Sequence, residues 1–349
     1  MEDYFGVVYA SIESPEDILG KNLYPILPFK LENRVYNPQG KWNGWYFSEE
    51  LKFAKLNGYK INVHFGYNFE FSTEIFKNYV ETYYHFKKVE DSKIDKNSSK
   101  LLLNSLYGRF GLNDKIDVMG VFNSEESKDI LSRYTVKDQY SISEDLEFLR
   151  YEKVPYNNFQ DNNSTEDYLK LLVDCDNKNR SLNHSIPIAI ATAAYARIYM
   201  FKIIHRLEEL GINIYYMDTD SLVIDQDMPQ DLVGDKIGQF KLEHEIEEGI
   251  FIDPKFYCLK LSENNYIFKN KGLVNSLSMD EYKHLLEGGS LTLTENRQFK
   301  NIKESLIKIT SIDINLKTNF LKRNPVKIDS DPKNIFTVPF TIKNNEILK

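Results

Sequence analysis

Hydrophobic and polar positions change period several times along this chain, and each change marks an element. Val7-Val8-Tyr9-Ala10-Ser11-Ile12 is a short, β-branched and largely apolar run, which predicts a strand. Pro15, Gly20, Pro25 and Pro28 interrupt the next stretch. Asn37 to Trp45 is rich in Asn and Gly and predicts a turn-rich loop carrying two tryptophans. Ser48-Glu49-Glu50-Leu51 opens a short helix with Ser48 as the expected N-cap, Gly58 stops it, and Lys60 to Phe65 resumes as a strand.

Asp95 to Phe110 then reads as a helix. Leu102, Leu106 and Phe110 recur four apart with Leu103 beside them, so one face is apolar. Residues 113–180 are polar and weakly periodic, a loop-rich insertion with some strand content. Ile188 to Leu210 is the longest helix candidate, with Pro187 in its first turn and Gly211 at the position that ends it. Ile212 to Met217 and Ser221 to Ile224 are two strands around the turn Asp218-Thr219-Asp220, an antiparallel hairpin with acids at its tip. Residues 250–280 alternate like a further strand pair. A helix is expected near Asp280 to Leu286, in a mixed C-terminal part with a basic stretch from Lys317 to Arg323.

Composition narrows the class. The chain has 349 residues, 42% hydrophobic and 28% charged, an ordinary globular balance with room for two or three domains. Its net charge of −8 does not advertise a nucleic-acid binder, although a local basic cleft suffices for one. Cys175 and Cys258 are too few for a disulfide framework or a cysteine zinc site, so a reducing compartment is the expectation. The start lacks the apolar core of a signal peptide. Arg197 and Lys202 interrupt the most apolar stretch, Pro187 to Ile204, so it reads as a buried helix and no membrane partner is expected. The abundance of Tyr, Phe, Asn, Lys and Ile fits an AT-rich genome such as that of an organelle or a plasmid.

Two strings carry chemistry. Asp218 and Asp220 are two apart, so in extended chain they project to one side. Held rigidly between apolar strands, such acids repel unless a cation neutralises them, and Mg²⁺ takes one or two carboxylates together with substrate phosphates. A lone Asp-x-Asp is more often a plain acidic turn, and the spacing does not make a calcium loop of the EF-hand kind. In the second string, Lys100, Asn104 and Tyr107 fall at i, i+4 and i+7 and line one helical stripe opposite the leucines. A lysine there can neutralise a triphosphate, a tyrosine one turn on offers a flat face to a base or sugar, and Gly108 permits close approach. Alone, such a stripe is more often a solvated helix face.

Together the strings resemble the family B DNA polymerases, most closely the protein-primed branch of linear mitochondrial plasmids, adenoviruses and small phages. Lys100-x-x-x-Asn104-Ser105-x-Tyr107-Gly108 resembles the fingers motif of that family, Tyr216-x-Asp218-Thr219-Asp220-Ser221 its palm carboxylate motif, and Lys255-Phe256-Tyr257 its Lys-x-Tyr motif, in the family's order. The aromatic block Tyr36 to Phe47 and the small-residue stretch Ala189 to Arg197 resemble the fungal-plasmid subgroup.

The resemblance implies an α+β right hand truncated at its N-terminus: an antiparallel palm sheet, helical fingers and a small thumb. The implied boundaries are 1–90 for a palm-associated insertion like the family's terminal-protein regions, 91–112 for the fingers helix and 113–185 for a polar insertion with palm strands. Residues 186–275 would form the palm with the Asp-Thr-Asp hairpin and Lys-x-Tyr strand, and 276–349 a thumb-like region. It implies DNA-directed nucleotidyl transfer with two Mg²⁺ ions. Asp220 would be the main metal ligand and Asp218 its support. Lys100 would hold the incoming dNTP, Tyr107 would pack beneath its base and sugar, and Asn104 and Gly108 would shape the pocket. Lys255 and Tyr257 would steady the primer end of a primer–template, and Lys317, Lys322 and Arg323 would contact DNA phosphates.

The family's first palm motif, Asp-x-x-Ser-Leu-Tyr-Pro, has no counterpart here. Leu23-Tyr24-Pro25 mimics its tail, but Leu19 stands where its aspartate would be and Asp17 is out of register. The proofreading exonuclease region is missing as well. The expectation is therefore the C-terminal piece of a longer or split polymerase, lacking the first palm aspartate and the exonuclease, in a mitochondrial setting, with a terminal protein or an N-terminal polymerase fragment as partner. The alternative is a catalytically inactive nucleic-acid-binding remnant. A metal-dependent glycosyltransferase using the Asp-x-Asp hairpin is a third reading, which the Lys100 string does not support.

Overall fold

In a computed structural model of the chain, the described residues are 4–15, 24–32, 34–70, 74–89, 93–112, 117–155, 185–301, 306–318, 320, 322–327, 335–343 and 345–348. Asp17, Leu19, Leu23 and Cys175 lie outside them. The chain divides into two units: residues 1–71, 193–297 and 311–349 form the first, and 72–192 with 298–310 the second.

The elements in chain order begin with strands β1 (Gly6–Glu13), β2 (Phe29–Leu31), β3 (Arg34–Tyr36) and β4 (Gln39–Phe47), helix α1 (Ser48–Leu56) and strand β5 (Lys60–Asn68). Helices α2 (Lys77–Val89) and α3 (Lys93–Phe110) are next, then β6 (Val118–Asn123), α4 (Ser124–Arg133), β7 (Tyr134–Ser141) and β8 (Leu146–Pro155). After α5 (Ile186–Glu209) come β9 (Ile214–Asp218), β10 (Ser221–Ile224), β11 (Glu248–Asp253), β12 (Phe256–Ser262), β13 (Asn265–Asn270) and α6 (Met279–Leu286). The rest is strand: β14 (Ser290–Asn301), β15 (Leu306–Lys317), β16 (Arg323–Lys327), β17 (Ile335–Pro339), β18 (Thr341–Lys343) and β19 (Glu346–Leu348). The fold is α+β.

In the first unit a five-stranded sheet runs β19-β18-β4-β1-β5. Alternation along β1 sends Val8, Ala10 and Ile12 into the core and Tyr9, Ser11 and Glu13 to the other face. That core collects Ile26, Leu27, Trp42, Leu51, Phe201, Ile204 and Ile342, so strands, α1 and α5 share it. Fully burying a side chain of this size contributes about 1.5–3 kcal/mol, so Ile12→Ala would be felt throughout the sheet. Several polar groups inside are paired. The Trp42 indole N–H donates to the Tyr46 hydroxyl at 2.7 Å, and that hydroxyl donates to the Pro28 carbonyl at 2.8 Å. The Tyr24 hydroxyl donates to the Ile214 carbonyl at 3.0 Å, tying the segment before β2 to β9.

The most consequential buried pair is Glu50 with Arg197. Glu50 is 1% exposed and receives the guanidinium edge-on, Nε at 2.5 Å from Oε1 and Nη2 at 2.9 Å from Oε2. Burial pushes the Glu50 carboxyl up, and the guanidinium opposes that shift. The pair locks α1 to α5. By length and hydropathy α5 would suffice to cross a membrane, but Phe201, Ile203, Ile204 and Leu207 are spent on protein cores.

Four expectations are corrected here. Asn37 to Trp45 is not a loop, because Gln39 to Phe47 is strand β4. Gly40 stands at φ +104° where β4 meets β18 in parallel, and a Cβ there would lie 2.1 Å from the Ile342 carbonyl oxygen, so this glycine permits a close backbone approach rather than breaking a strand. Ser48 is not the N-cap of α1. Phe47 is, and the Ser48 hydroxyl instead accepts the Gly6 N–H at 3.0 Å. Residues 250–280 hold a three-stranded β11-β12-β13 meander rather than a pair, with Ile250, Phe256 and Cys258 packed on Tyr282 and Leu285 of α6. Of the polar segment 113–180, residues 113–116 and 156–180 lie outside the described residues, and 117–155 form a β6-β8-β7 sheet with bends at 142–145 and a helix, α4, whose start is fixed by a capping box between Asn123 and Glu126.

In the second unit α2 and α3 are joined by the Tyr79 hydroxyl donating to the Leu102 carbonyl at 3.2 Å and by Phe76 and Phe110, ring centroids 5.3 Å apart. The least exposed residues of α3 are Ser99, Leu103, Leu106 and Phe110, while Leu102 is exposed. At 3.6 residues per turn that stripe lies about 90° from the Lys100 stripe, beside it rather than opposite.

Candidate functional site

The acids sit where the sequence places them, on the hairpin of β9 and β10, but with one difference. Asp218 pairs with Ser221, so Thr219 and Asp220 are the two residues of a tight turn, and Thr219 takes φ +60°. The extended-chain argument therefore reaches Asp218 and stops short of Asp220. The turn is closed locally. The Asp220 N–H donates to the Asp218 carbonyl at 2.8 Å, and the Ser221 hydroxyl donates to the same carbonyl at 3.1 Å. The Thr219 hydroxyl donates to Oδ1 of Asp218 at 3.2 Å.

Oδ2 of Asp218 faces Lys255, whose Nζ lies 3.2 Å away. Lys255 holds φ +62°, uncommon for a side chain with a Cβ, and its N–H donates to the Tyr216 hydroxyl at 2.9 Å. The Tyr216 ring in turn stacks on Phe251, centroids 5.1 Å apart and 11° from parallel, with Tyr257 at 4.9 Å. Burial pushes the Tyr216 and Tyr257 hydroxyls up, and the Asp218 charge adds to both. Asp218, Lys255, Tyr216 and Tyr257 are thus one connected cluster across the hairpin and the β11–β12 strands. Sequence reading named Lys255 and Tyr257 but missed Phe251, the flat surface beneath Tyr216; an aromatic in a strand gives no signal of that kind.

On the second unit, Lys100, Asn104 and Tyr107 are all exposed on α3. Gly108 is inside the helix, and a Cβ there would meet nothing within 4 Å, so the space beside this stripe is open. Lys322 is exposed. Arg323 is not placed to meet DNA phosphates: its Nε donates to the Thr337 hydroxyl at 2.9 Å, a second nitrogen donates to the Thr337 carbonyl at 2.7 Å, and the guanidinium lies over the Tyr24 ring. Burial pushes that guanidinium down to about 10.

Asp218 and Asp220 supply oxygen donors of the kind Mg²⁺ takes together with substrate phosphates. Among the described residues no group of three or more acids, histidines or cysteines is gathered. Asp218 and Asp220 would fit one ion shared with a phosphate substrate.

The hairpin with acids at its turn and the lysine–tyrosine strand beside it belong to the first unit, and the lysine-bearing helix belongs to the second. The family model for DNA polymerase type B, organellar and viral, matches residues 1–210, and the chain belongs to that family. Over 330 residues it is 34% identical to a probable DNA polymerase of Podospora anserina, covering 92% of this chain and 26% of that one. A probable DNA polymerase of Neurospora intermedia is 32% identical over 296 residues, covering 81% of this chain and 28% of its own length. The chain thus spans about a quarter of the length of these curated relatives. Among solved structures, phi29 DNA polymerase complexed with primer-template DNA matches with a TM-score of 0.56 at 16% identity, over 91% of this chain and 51% of that one. This last likeness is one of fold.

Proposed function

We propose that the chain carries the nucleotide- and primer-handling part of a DNA-directed DNA polymerase that works in mitochondria. The observation that carries this reading is the ion pair between Asp218 and Lys255. It joins the acidic hairpin to the Lys-x-Tyr strand, as a site that holds a primer end against reacting phosphates requires. Asp218 and Asp220 would hold Mg²⁺, which when bound lowers the charge on the phosphates and favours the attacking oxygen in its ionised form. Lys255 and Tyr257 would steady the primer terminus, and Lys322 would contact DNA phosphate. Lys100 would neutralise the triphosphate of a dNTP, with Tyr107 against its base and sugar and Asn104 and Gly108 beside them. Arg323 is left out of the DNA-contacting set because its guanidinium is committed to Thr337. The partners would be primer–template DNA, an N-terminal polymerase segment that completes the acid set, and a terminal protein that primes.

A second reading has its own observation. Among the described residues no group of three or more possible metal ligands is gathered, which suits a protein that binds DNA without extending it. Primer extension with purified chain, Mg²⁺ and dNTPs, with Asp220→Ala as control, separates the two. Extension abolished by the substitution supports the polymerase. Salt-sensitive primer–template binding without extension, not rescued by a supplied N-terminal segment, supports the remnant.

A further inference from the structure

The face of the five-stranded sheet turned away from its core is ordered in rows. Cross-strand register sets Glu13 beside Lys41 and Lys60, then Ser11 beside Asn43 and Asn62, then Tyr9 beside Trp45 and Phe65, with Tyr67 one row on. The aromatic rows are exposed: Trp45 47%, Phe65 58% and Tyr67 66%. Their rings form a continuous platform. Tyr9 and Phe65 stack at 5.4 Å and 28°, Trp45 and Tyr67 at 5.9 Å and 16°, and Trp45 meets Phe65 edge-on at 5.4 Å. Soluble proteins seldom leave several large aromatics contiguous and open unless something binds there.

We propose that this face binds single-stranded DNA, its bases stacking on Trp45, Phe65 and Tyr67 and its phosphates running toward Lys41 and Lys60. Flat exposed rings beside cations are what a single strand uses, since every base has a π-face and every linkage a negative charge. The charge agrees. β1, β4 and β5 carry two lysines against one glutamate, so their face is net positive on a chain of net charge −8. Glu13 holds both lysine ammoniums, at 2.9 and 2.8 Å, which fixes them at the end of the platform and leaves one positive charge in excess. Between rings and lysines, Asn43 and Asn62 offer amides to sugars and base edges, while the Ser11 hydroxyl is engaged by His64 Nε2 at 2.6 Å. An apolar docking face for protein would need no such grading from ring to amide to cation. The choice of DNA as the polymer rests on the polymerase reading; the stacking does not.

The chain carries its own reporter. Of its two tryptophans Trp42 is buried and hydrogen-bonded, and Trp45 is on the platform. Titrating the full chain at low salt with a twelve-nucleotide oligothymidylate should quench tryptophan emission saturably, and Trp45→Phe should abolish that quenching. Phe65→Ser with Tyr67→Ser should weaken oligonucleotide binding at least tenfold, given what base–aromatic stacking contributes. The melting temperature should fall by a few degrees at most, because both rings are exposed and only their cross-strand stacks are lost. Absence of quenching, or unchanged affinity in the double variant, overturns the proposal. So does a dimer in sedimentation that the double variant turns into monomer, because a second copy would then be the occupant. The titration uses neither dNTP nor Mg²⁺. Quenching without primer extension leaves the platform standing and removes the catalytic reading; extension without quenching removes the platform alone.

Discussion

Lys255 reaches Asp218 across two separate sheets, its Nζ 3.2 Å from Oδ2, while its own backbone is held in the left-handed region by the hydroxyl of Tyr216. A lysine in that conformation costs about 1–2 kcal/mol, so its surroundings must fix it. Both partners retain solvent contact, so the ion pair itself contributes no more than about 1 kcal/mol to stability. Lys255→Met should therefore change the melting temperature by a few degrees at most, yet reduce primer–template affinity and flatten its salt dependence by about one counterion. A binding isotherm repeated at several salt concentrations checks this.

Tyr216→Phe removes only the hydroxyl that receives the Lys255 N–H. The stack on Phe251 survives. The expected result is a loss of about 1 kcal/mol in stability and slower primer extension, with dNTP KM unchanged, because the hairpin and the Lys-x-Tyr strand lose their link. Steady-state kinetics beside a melting curve separates these effects.

Lys100→Ala on the exposed face of α3 should leave stability unchanged and raise the KM for dNTP about ten- to a hundredfold, the range of a lost hydrogen bond to a charged group. Equal KM values for variant and parent would remove Lys100 from the nucleotide site.

Glu208 gives a pH signature. Burial raises its carboxyl from 4.5 to about 7 in the folded chain. The unfolded chain releases this proton first, so the stabilisation is complete below about 4.5, declines as pH rises and is exhausted above about 7. Glu208→Gln should remove that decline, gaining on the order of 1 kcal/mol over the parent at pH 8 once solvent screening at this half-buried position is allowed for. Thermal unfolding at pH 5 and pH 8 reads it directly.

Gly40→Ala should be among the most damaging small substitutions. It combines φ +104° with a Cβ placed 2.1 Å from the Ile342 oxygen. The parallel pairing of β4 with β18 should open, with a loss of at least about 1–3 kcal/mol. Limited proteolysis should then release the C-terminal strands first.

The elements that were legible in the sequence are those whose signals are local. α5 has a proline in its first turn and Gly211, at φ +72°, just past its end, and the β9–β10 hairpin has two apolar strands around a polar turn. β4 reads as loop because Gly40, Asn43 and Gly44 are loop residues by composition, and only pairing with β1 and β18 makes them strand. Glu50 and Arg197 are 147 residues apart, and nothing near either one announces the other. For the candidate site, the residue types of the hairpin and of the Lys-x-Tyr strand were readable, but the side-chain links among Asp218, Lys255 and Tyr216 were not. They depend on a lysine backbone turned left-handed, and a sequence period carries no information about that.

Strand β18 lies against β4, with Thr341 opposite Gln39. About 300 residues separate those partners, and at about 5–20 residues per second a ribosome needs roughly 15–60 s to travel between them. Throughout that interval the growing chain shows β4 as an open strand edge, able to pair with any other nascent strand nearby. Completion of this sheet is therefore timed by translation of its late strands.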